Sequence, residues 1–305
     1  MKILMAGAGA IGGYFGARLA EKGEDITFLV RDNRKQQLMK TGLNVESVHG
    51  DVSLTPTLLT AGEKSGPYDV IIISTKSYQL EGVMEDLKPY ADGKTMILPL
   101  LNGIAHIDKL VQVFGEEAVI GGLCFIETTL NSEGAIVQTS PIHDLKFGER
   151  SGEKTERITR LEDAFSGTKA NMSMSSKINQ DMWHKYSFIT AMSGVTTLMR
   201  SAIGPIRELE YGSNTIQTLL EEIYTVMVKL EAPVAEGLPE MQFKKMLEMG
   251  YGMKSSMQRD MEKSSMTEVD HLQGYLLQKA AQLNLTVPLL RAVFTNVKLY
   301  EEQLK

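Results

Sequence analysis

An apolar strand that runs through Gly7-Ala8-Gly9-Ala10-Ile11-Gly12 straight into a helix is the feature that most restricts this chain. The segment Lys2–Ala6 reads as a strand and Ile11–Lys22 as a helix, so the glycines occupy a strand-to-helix turn. In that context G-x-G-x-x-G has a mechanical meaning: Gly7 permits the tight turn, Gly9 lets the backbone approach a pyrophosphate, and Gly12 lets helix and strand pack closely. The N–H groups at the helix start then face the anion. A ligand-free glycine turn explains the same residues less completely, because strand, helix and second strand are all in place. Ala8, Ala10 and Ile11 complete the expected cofactor contact.

The rest of the first half repeats the theme. Short apolar runs at Ile26–Val30, Val70–Ser74, Met96–Leu101 and Ala118–Phe125 alternate with helical patterns, which is an α/β signature. Runs that are apolar throughout imply strands covered on both faces, as in a parallel sheet. Asn44–Pro56 reads as an inserted hairpin around His49-Gly50-Asp51, and Thr128–Gly148 as antiparallel, with Pro141 confining any strand there to an edge. A helix is expected at Arg157–Phe165. Beyond about residue 170 the spacing turns helical: Val269, Leu272, Leu276, Ala280 and Leu283 mark one apolar face, with Thr267 and Asp270 as a start signal. The expected architecture is a Rossmann-type α/β domain with a mostly parallel sheet over residues 1–168 and an all-α domain over 169–305, switching near Gly167–Ser176.

Composition narrows the partners. Two domains suit 305 residues of 43% hydrophobic content, and 32 Lys+Arg against 38 Asp+Glu give a net charge of −6 with no long basic run, which argues against nucleic acid. The single cysteine, Cys124, forms no intramolecular disulfide, and no leader precedes the first strand, so a cytoplasmic protein is expected. The richest apolar stretch, Val70–Ile73, is far short of the ~20 residues that span a bilayer. No metal is expected, and the 18 methionines read as core filler.

Three positions join the glycines at strand ends. Arg31 follows the second strand where an acidic residue would bind a ribose 2′-OH; a guanidinium there favours the 2′-phosphate of NADPH, although a solvated surface arginine is the plain alternative and Asp32 lies next to it. Lys76 and Asn102-Gly103 follow the third and fourth runs, on the rim where open parallel sheets bind ligands. Singly, Lys76 reads as a loop lysine and Asn102-Gly103 as a turn. In the helical half, Lys185 sits among bulky residues in Asp181-Met182-Trp183-His184-Lys185-Tyr186. Desolvation there would make it a proton donor near neutral pH, whereas on periodicity alone a lysine snorkelling from a mostly apolar helix is the better reading.

GAGAIG at Gly7–Gly12, Thr75-Lys76, LLNG at Leu100–Gly103, WHK at Trp183–Lys185 and SSMQRD…TEVDHLQG from Ser255 to Gly274 together resemble the ketopantoate reductases (2-dehydropantoate 2-reductases) over nearly the whole chain. The resemblance implies a Rossmann domain joined to a helical domain, with NADPH/NADP+ and a 2-oxo acid bound between them, and reduction of ketopantoate to pantoate in pantothenate biosynthesis. It makes Lys185 the general acid, places Lys76 near the cofactor, gives Asn102 contacts to cofactor and substrate, Ser256 to substrate, and sets Glu268 at the nicotinamide end as an aid to catalysis. Physically, a cationic lysine both stabilises the oxygen charge that develops as the carbonyl is reduced and delivers the proton. Glu268 is also explained by a helix dipole, and Ser256 by capping.

The family pattern has substrate-binding asparagines four and eight residues after that lysine, where this sequence has Ile189 and Ser193. Losing an amide opposite a polar substrate costs ~1–3 kcal/mol, which points to a less polar 2-oxo acid; a shift of register explains it otherwise. The alternatives carried forward are a related reductase of another 2-oxo acid or an imine, and a non-catalytic NADP(H) sensor. The helical half has faces suited to core or to a homodimer interface, and periodicity does not separate the two.

Overall fold

A computed structural model describes residues 1–304. In chain order the first half comprises β1 (Lys2–Ala6), α1 (Ala10–Lys22), β2 (Asp25–Leu29), α2 (Asp32–Thr41), β3 (Leu43–Ser47), β4 (Val52–Leu54), β5 (Thr57–Leu59), β6 (Val70–Ile73), α3 (Leu80–Leu87), β7 (Met96–Pro99), α4 (His106–Phe114), β8 (Gly121–Leu130), β9 (Ile136–Gly148), α5 (Glu156–Phe165) and β10 (Asn171–Met174). The second half comprises α6 (Ile178–Met199), α7 (Ile203–Glu208), α8 (Glu210–Lys229), α9 (Leu238–Glu248), α10 (Ser256–Glu262), a π-helical turn over Asp270–Gly274, α11 (Tyr275–Gln282) and α12 (Pro288–Gln303).

Contacts divide the chain into two compact units, one of residues 1–101 and 106–179, the other of residues 102–105 and 180–305. In the first unit β5, β2, β1, β6 and β7 lie side by side in that order, every pairing parallel. The strands are apolar throughout because both faces are covered: Val70, Ile71, Ile72 and Ile73 are all buried, as are Ile3, Leu4 and Met5. Side chains of this kind contribute about 1.5–3 kcal/mol each when fully buried. The fold is the Rossmann-type α/β arrangement with a helical second half.

A second sheet carries β10, β9, β3 and β4, with β8 pairing antiparallel to β9. The hairpin expected at Asn44–Pro56 is present as β3 and β4, with Leu43 opposite Leu54 and Val45 opposite Val52. Pro141 requires a correction. It lies inside β9, which has partners on both sides, rather than on an edge strand. The ladder tolerates it because the β8 register shifts between Ile126 and Thr128, and β9 pairs with its neighbours at residues 136–138 and 143–148 but not at 139–142. A missing N–H costs nothing where the ladder is interrupted. β10 is a strand the helical spacing conceals, and it pairs parallel to β9.

In the second unit α8 supplies much of the core, burying Ile216, Leu219, Leu220, Ile223, Val226 and Met227 at helical spacing. Val269, Leu272, Leu276 and Ala280 are buried as expected, and Leu283 is more than one-third exposed. The start signal at Thr267 and Asp270 works differently from the expectation. The Thr267 hydroxyl accepts from the Val269 N–H at 3.2 Å, but Asp270 pairs with Lys298 instead of folding back on the turn. No helix among the described residues is long and apolar enough to cross a membrane.

Candidate functional site

The glycine loop lies entirely in the first unit. Gly7 has φ +103°, which only glycine adopts without strain, and its N–H donates to the Leu29 carbonyl at 3.0 Å. A Cβ on Gly12 would stand 2.3 Å from the Gly7 carbonyl oxygen and 2.1 Å from Ser74 Oγ. Glycine is therefore required for α1 to meet the strand this closely. Gly9 is the reverse case: a Cβ there would have no neighbour within 4 Å. α1 begins at that open edge with no side-chain cap and no acidic residue in its first turn. A bare backbone approach, uncapped N–H groups and no repelling carboxylate fit the diphosphate of a dinucleotide.

Around this loop the strand ends contribute Ser74, whose hydroxyl donates to the Ala6 carbonyl at 3.2 Å, and Lys76, half-buried at the start of the turn that follows β6. Arg31 is exposed, preceding α2 in extended backbone. The guanidinium that reaches the loop belongs to Arg34, one turn further on, whose Nε–H donates to the Ala8 carbonyl at 3.1 Å.

The other sequence candidates belong to the second unit and gather around α6. Unusually for a central helix, α6 buries Lys185, Ser187, Thr190, Ser193, Thr196 and Thr197 among its apolar residues. Buried polar groups need partners; the hydroxyls of Ser193 and Thr196 find theirs on neighbouring segments, Thr197 bonds carbonyls of its own helix, and the Thr190 hydroxyl has none among the described residues. Tyr186 donates its hydroxyl to the Leu272 carbonyl, and burial raises its pKa well above the phenol's ordinary value. The fully buried Gln273 donates its amide to the Thr190 carbonyl at 3.1 Å and to Ser193 Oγ at 2.9 Å. Thr196 and Ser255 share a hydroxyl hydrogen bond at 2.7 Å. Ser255, not Ser256, caps α10, accepting from the Gln258 N–H at 3.1 Å. Ser256 is the exposed first residue of that helix.

Lys185 is only 7% exposed and Glu268 9%. Glu268 begins the segment that winds into the π-helical turn, its carbonyl accepting from the N–H groups of His271 and Leu272. The segment is anchored by Glu301, 2% exposed, which accepts from the Thr267 N–H at 3.1 Å and the Thr267 hydroxyl at 2.7 Å. Asn102, half-buried, stands beside Gly103, and a Cβ on Gly103 would come within 2.9 Å of the His271 ring. The 102–105 loop, the π-helical segment and α6 thus meet within one unit. Ile189 is half-buried, while Ser193 is buried and engaged by Gln273. The middle residue of WHK is architectural: His184 Nε2 accepts from the Ala235 N–H at 3.0 Å, and burial lowers its pKa against the opposing pull of Asp181.

Sequence reasoning missed Arg34, Ser74, Gln273, Tyr186 and Glu301. Ser74 had a signal in its position at a strand end; the others act through partners distant in sequence.

Models of the ketopantoate reductase PanE/ApbA family match residues 3–152, and those of its C-terminal domain residues 177–301. The chain is 50% identical over 303 residues, 99% of its length and 100% of the other's, to the uncharacterized oxidoreductase YkpB of Bacillus subtilis. The chain belongs to the ketopantoate reductase family. It is accordingly an oxidoreductase of the ketopantoate reductase type. A 2-dehydropantoate 2-reductase of Pyrococcus abyssi is 28% identical over 290 residues, covering 95% of this chain and 94% of its own. Among solved structures, a D-mandelate dehydrogenase with NADH and anilino(oxo)acetate has the same fold, with a TM-score of 0.90 at 22% identity over 100% of this chain and 99% of that one.

Proposed function

We propose that this reductase converts a small 2-oxo acid to the 2-hydroxy acid with NADPH, with ketopantoate as the reference substrate. The carrying observation is a lysine kept 7% exposed on a polar-lined helix, in a family of reductases, on a chain whose glycine loop has the form a dinucleotide needs. The cofactor, when bound, supplies a hydride to the carbonyl carbon. The loop at Gly7–Gly12 and the start of α1 hold its diphosphate, Arg31 serves its 2′-phosphate, and Lys76 and Asn102 serve the remainder.

The ammonium of Lys185 faces the oxygen on which charge develops, stabilises that charge and gives up a proton to it, recovering one from solvent after product leaves. Glu268 favours the charged form of the lysine and fixes its direction. Asn102 and Ser256 bind the substrate's polar groups. Water is kept from Lys185 by the packing that leaves it almost wholly buried, which strengthens each of these interactions.

Ile189 and Ser193 favour a second reading within the same chemistry. Isoleucine offers no hydrogen bond, and the Ser193 hydroxyl is occupied by Gln273. A substrate pocket lined by these two suits a branched 2-oxo acid less polar than ketopantoate. The test is NADPH consumption by the purified chain against ketopantoate and a panel of branched 2-oxo acids, compared as kcat/KM. Highest kcat/KM for ketopantoate supports the first reading, and highest for an apolar branched acid the second. Tight NADPH binding with no turnover on any of them would overturn both.

A further inference from the structure

Arg34 has more contacts than a surface helix arginine needs. Besides the Ala8 carbonyl, its Nη1 donates to the Gly134 carbonyl at 3.0 Å and to the Gln37 side-chain oxygen at 2.6 Å. It therefore joins three segments of the first unit: α2, the glycine loop and the turn between β8 and β9. Its Nη2 is sealed from solvent without a partner, and among the described residues no carboxylate pairs with it. Burial alone pulls its pKa down. A half-buried cation without a counter-charge is costly to keep, and this one stands beside the loop suited to an anion.

The hydrogen bond to Ala8 also has a directional consequence. A trans peptide is planar, with its C=O and N–H pointing opposite ways. Fixing the Ala8 carbonyl towards Arg34 turns the Gly9 N–H to the other face of the loop, at the residue where a side chain would meet only open space. We propose that Arg34 is a positioning residue for the dinucleotide, holding the Ala8–Gly9 peptide with its N–H towards the diphosphate, while its unpaired charge, on the carbonyl side of the loop, adds to the positive field that the anion meets from across the peptide. The inference rests on the cofactor reading above. It divides the work between two arginines: Arg34 acts on the diphosphate that every nicotinamide dinucleotide carries, Arg31 on the 2′-phosphate that only one of them carries.

The experiment measures dissociation constants of the full chain for NADPH, NADH and ADP-ribose, in wild type, Arg34→Met, Arg34→Lys and Arg31→Ser. Arg34→Met is expected to weaken all three by a similar factor, roughly tenfold or more for a lost hydrogen bond to a charged donor, to flatten the salt dependence of NADH binding, and to act on the cofactor's KM more than on kcat. Arg31→Ser is expected to weaken NADPH alone. If Arg34→Met weakens only NADPH, or leaves all three ligands unchanged, the inference is overturned. Should Arg34→Met lose its cooperative thermal transition, Arg34→Lys decides. Lysine keeps the charge but not the fork that ties the carbonyls, so a smaller, equal loss with salt dependence retained is expected, and a selective loss or none overturns the inference. Wild-type protein that binds none of the three overturns the cofactor reading together with the inference. Wild-type binding with unmoved Arg34 variants overturns the inference alone.

Discussion

In the first unit the candidate binding loop presents backbone; in the second, α6 presents side chains. The loop at Gly7–Gly12 has its form because three positions lack a Cβ, each for its own reason: a positive φ at Gly7, an open approach at Gly9, a close approach at Gly12. On α6, by contrast, Lys185 shares the helix with buried polar residues, of which Tyr186, Ser193 and Thr196 are met by Leu272, Gln273 and Ser255 from elsewhere in the chain. The contrast teaches where tolerance lies. A backbone site fails when atoms are added, and a side-chain site fails when they are removed.

The largest expected effect comes from removal. Lys185→Ala should lower kcat by about 10²–10⁴-fold, the range for a lost general acid, with NADPH affinity in a direct binding assay left near wild type. Wild-type turnover in that variant would take the second unit's lysine out of the chemistry and break the comparison at its stronger end.

Addition gives the next. Gly12→Ala places a methyl against the Gly7 backbone and Ser74, and overpacking of this kind costs about 1–3 kcal/mol, read as a lowered midpoint in urea unfolding. Gly9→Ala should leave that midpoint almost unmoved, since its methyl meets nothing, while weakening NADPH binding, the outcome expected of the proposed diphosphate site. Equal destabilisation by both would mean the loop is packing only.

These two sites also differ in how far the sequence disclosed them. Gly7, Gly9 and Gly12 lie within one turn and a strand end, so their spacing together with the adjoining strand and helix carries their meaning. Gln273 and Ser193, Thr196 and Ser255, or Glu301 and Thr267 meet only after the chain folds, and no local pattern relates them. Arg31 stood out by its place at a strand end, yet Arg34 is the arginine that touches the loop, because a helical turn brings it back over Ala8. Pro141 was misplaced for a similar reason. The rule that sends proline to an edge strand is local, whereas the interruption that admits it inside β9 depends on the partner strand's register. That the sheet is parallel followed from apolar runs buried on both faces, whereas its strand order did not; β10 escaped because a short, half-buried run against an existing sheet needs no such pattern.

The smallest effect is common to both units. His184 in the second and His143 in the first each have a pKa lowered by burial, His143 also by its stacked neighbour His49 and by Arg18 against the pull of Asp144. A base held below its ordinary value of about 6.5 is favoured neutral in the folded state. The stability it contributes is full above that value and is lost as pH falls through the folded pKa. Thermal midpoints should therefore fall on acidification below about pH 6.5, and His184→Gln should flatten part of that slope. An unchanged slope would assign the acid sensitivity to the first unit alone.

The four residues 102–105, which pack with the helical unit although the chain around them does not, govern how this protein can be made and cut. On the ribosome they emerge long before residues 271–272, against which Gly103 comes to rest. The surroundings of Asn102 are among the last to be completed. Proteolysis or genetic excision at the 179–180 junction would release a helical fragment missing one of its own parts, so the two halves are not interchangeable cassettes, and swapping one between relatives requires carrying a four-residue graft along with it.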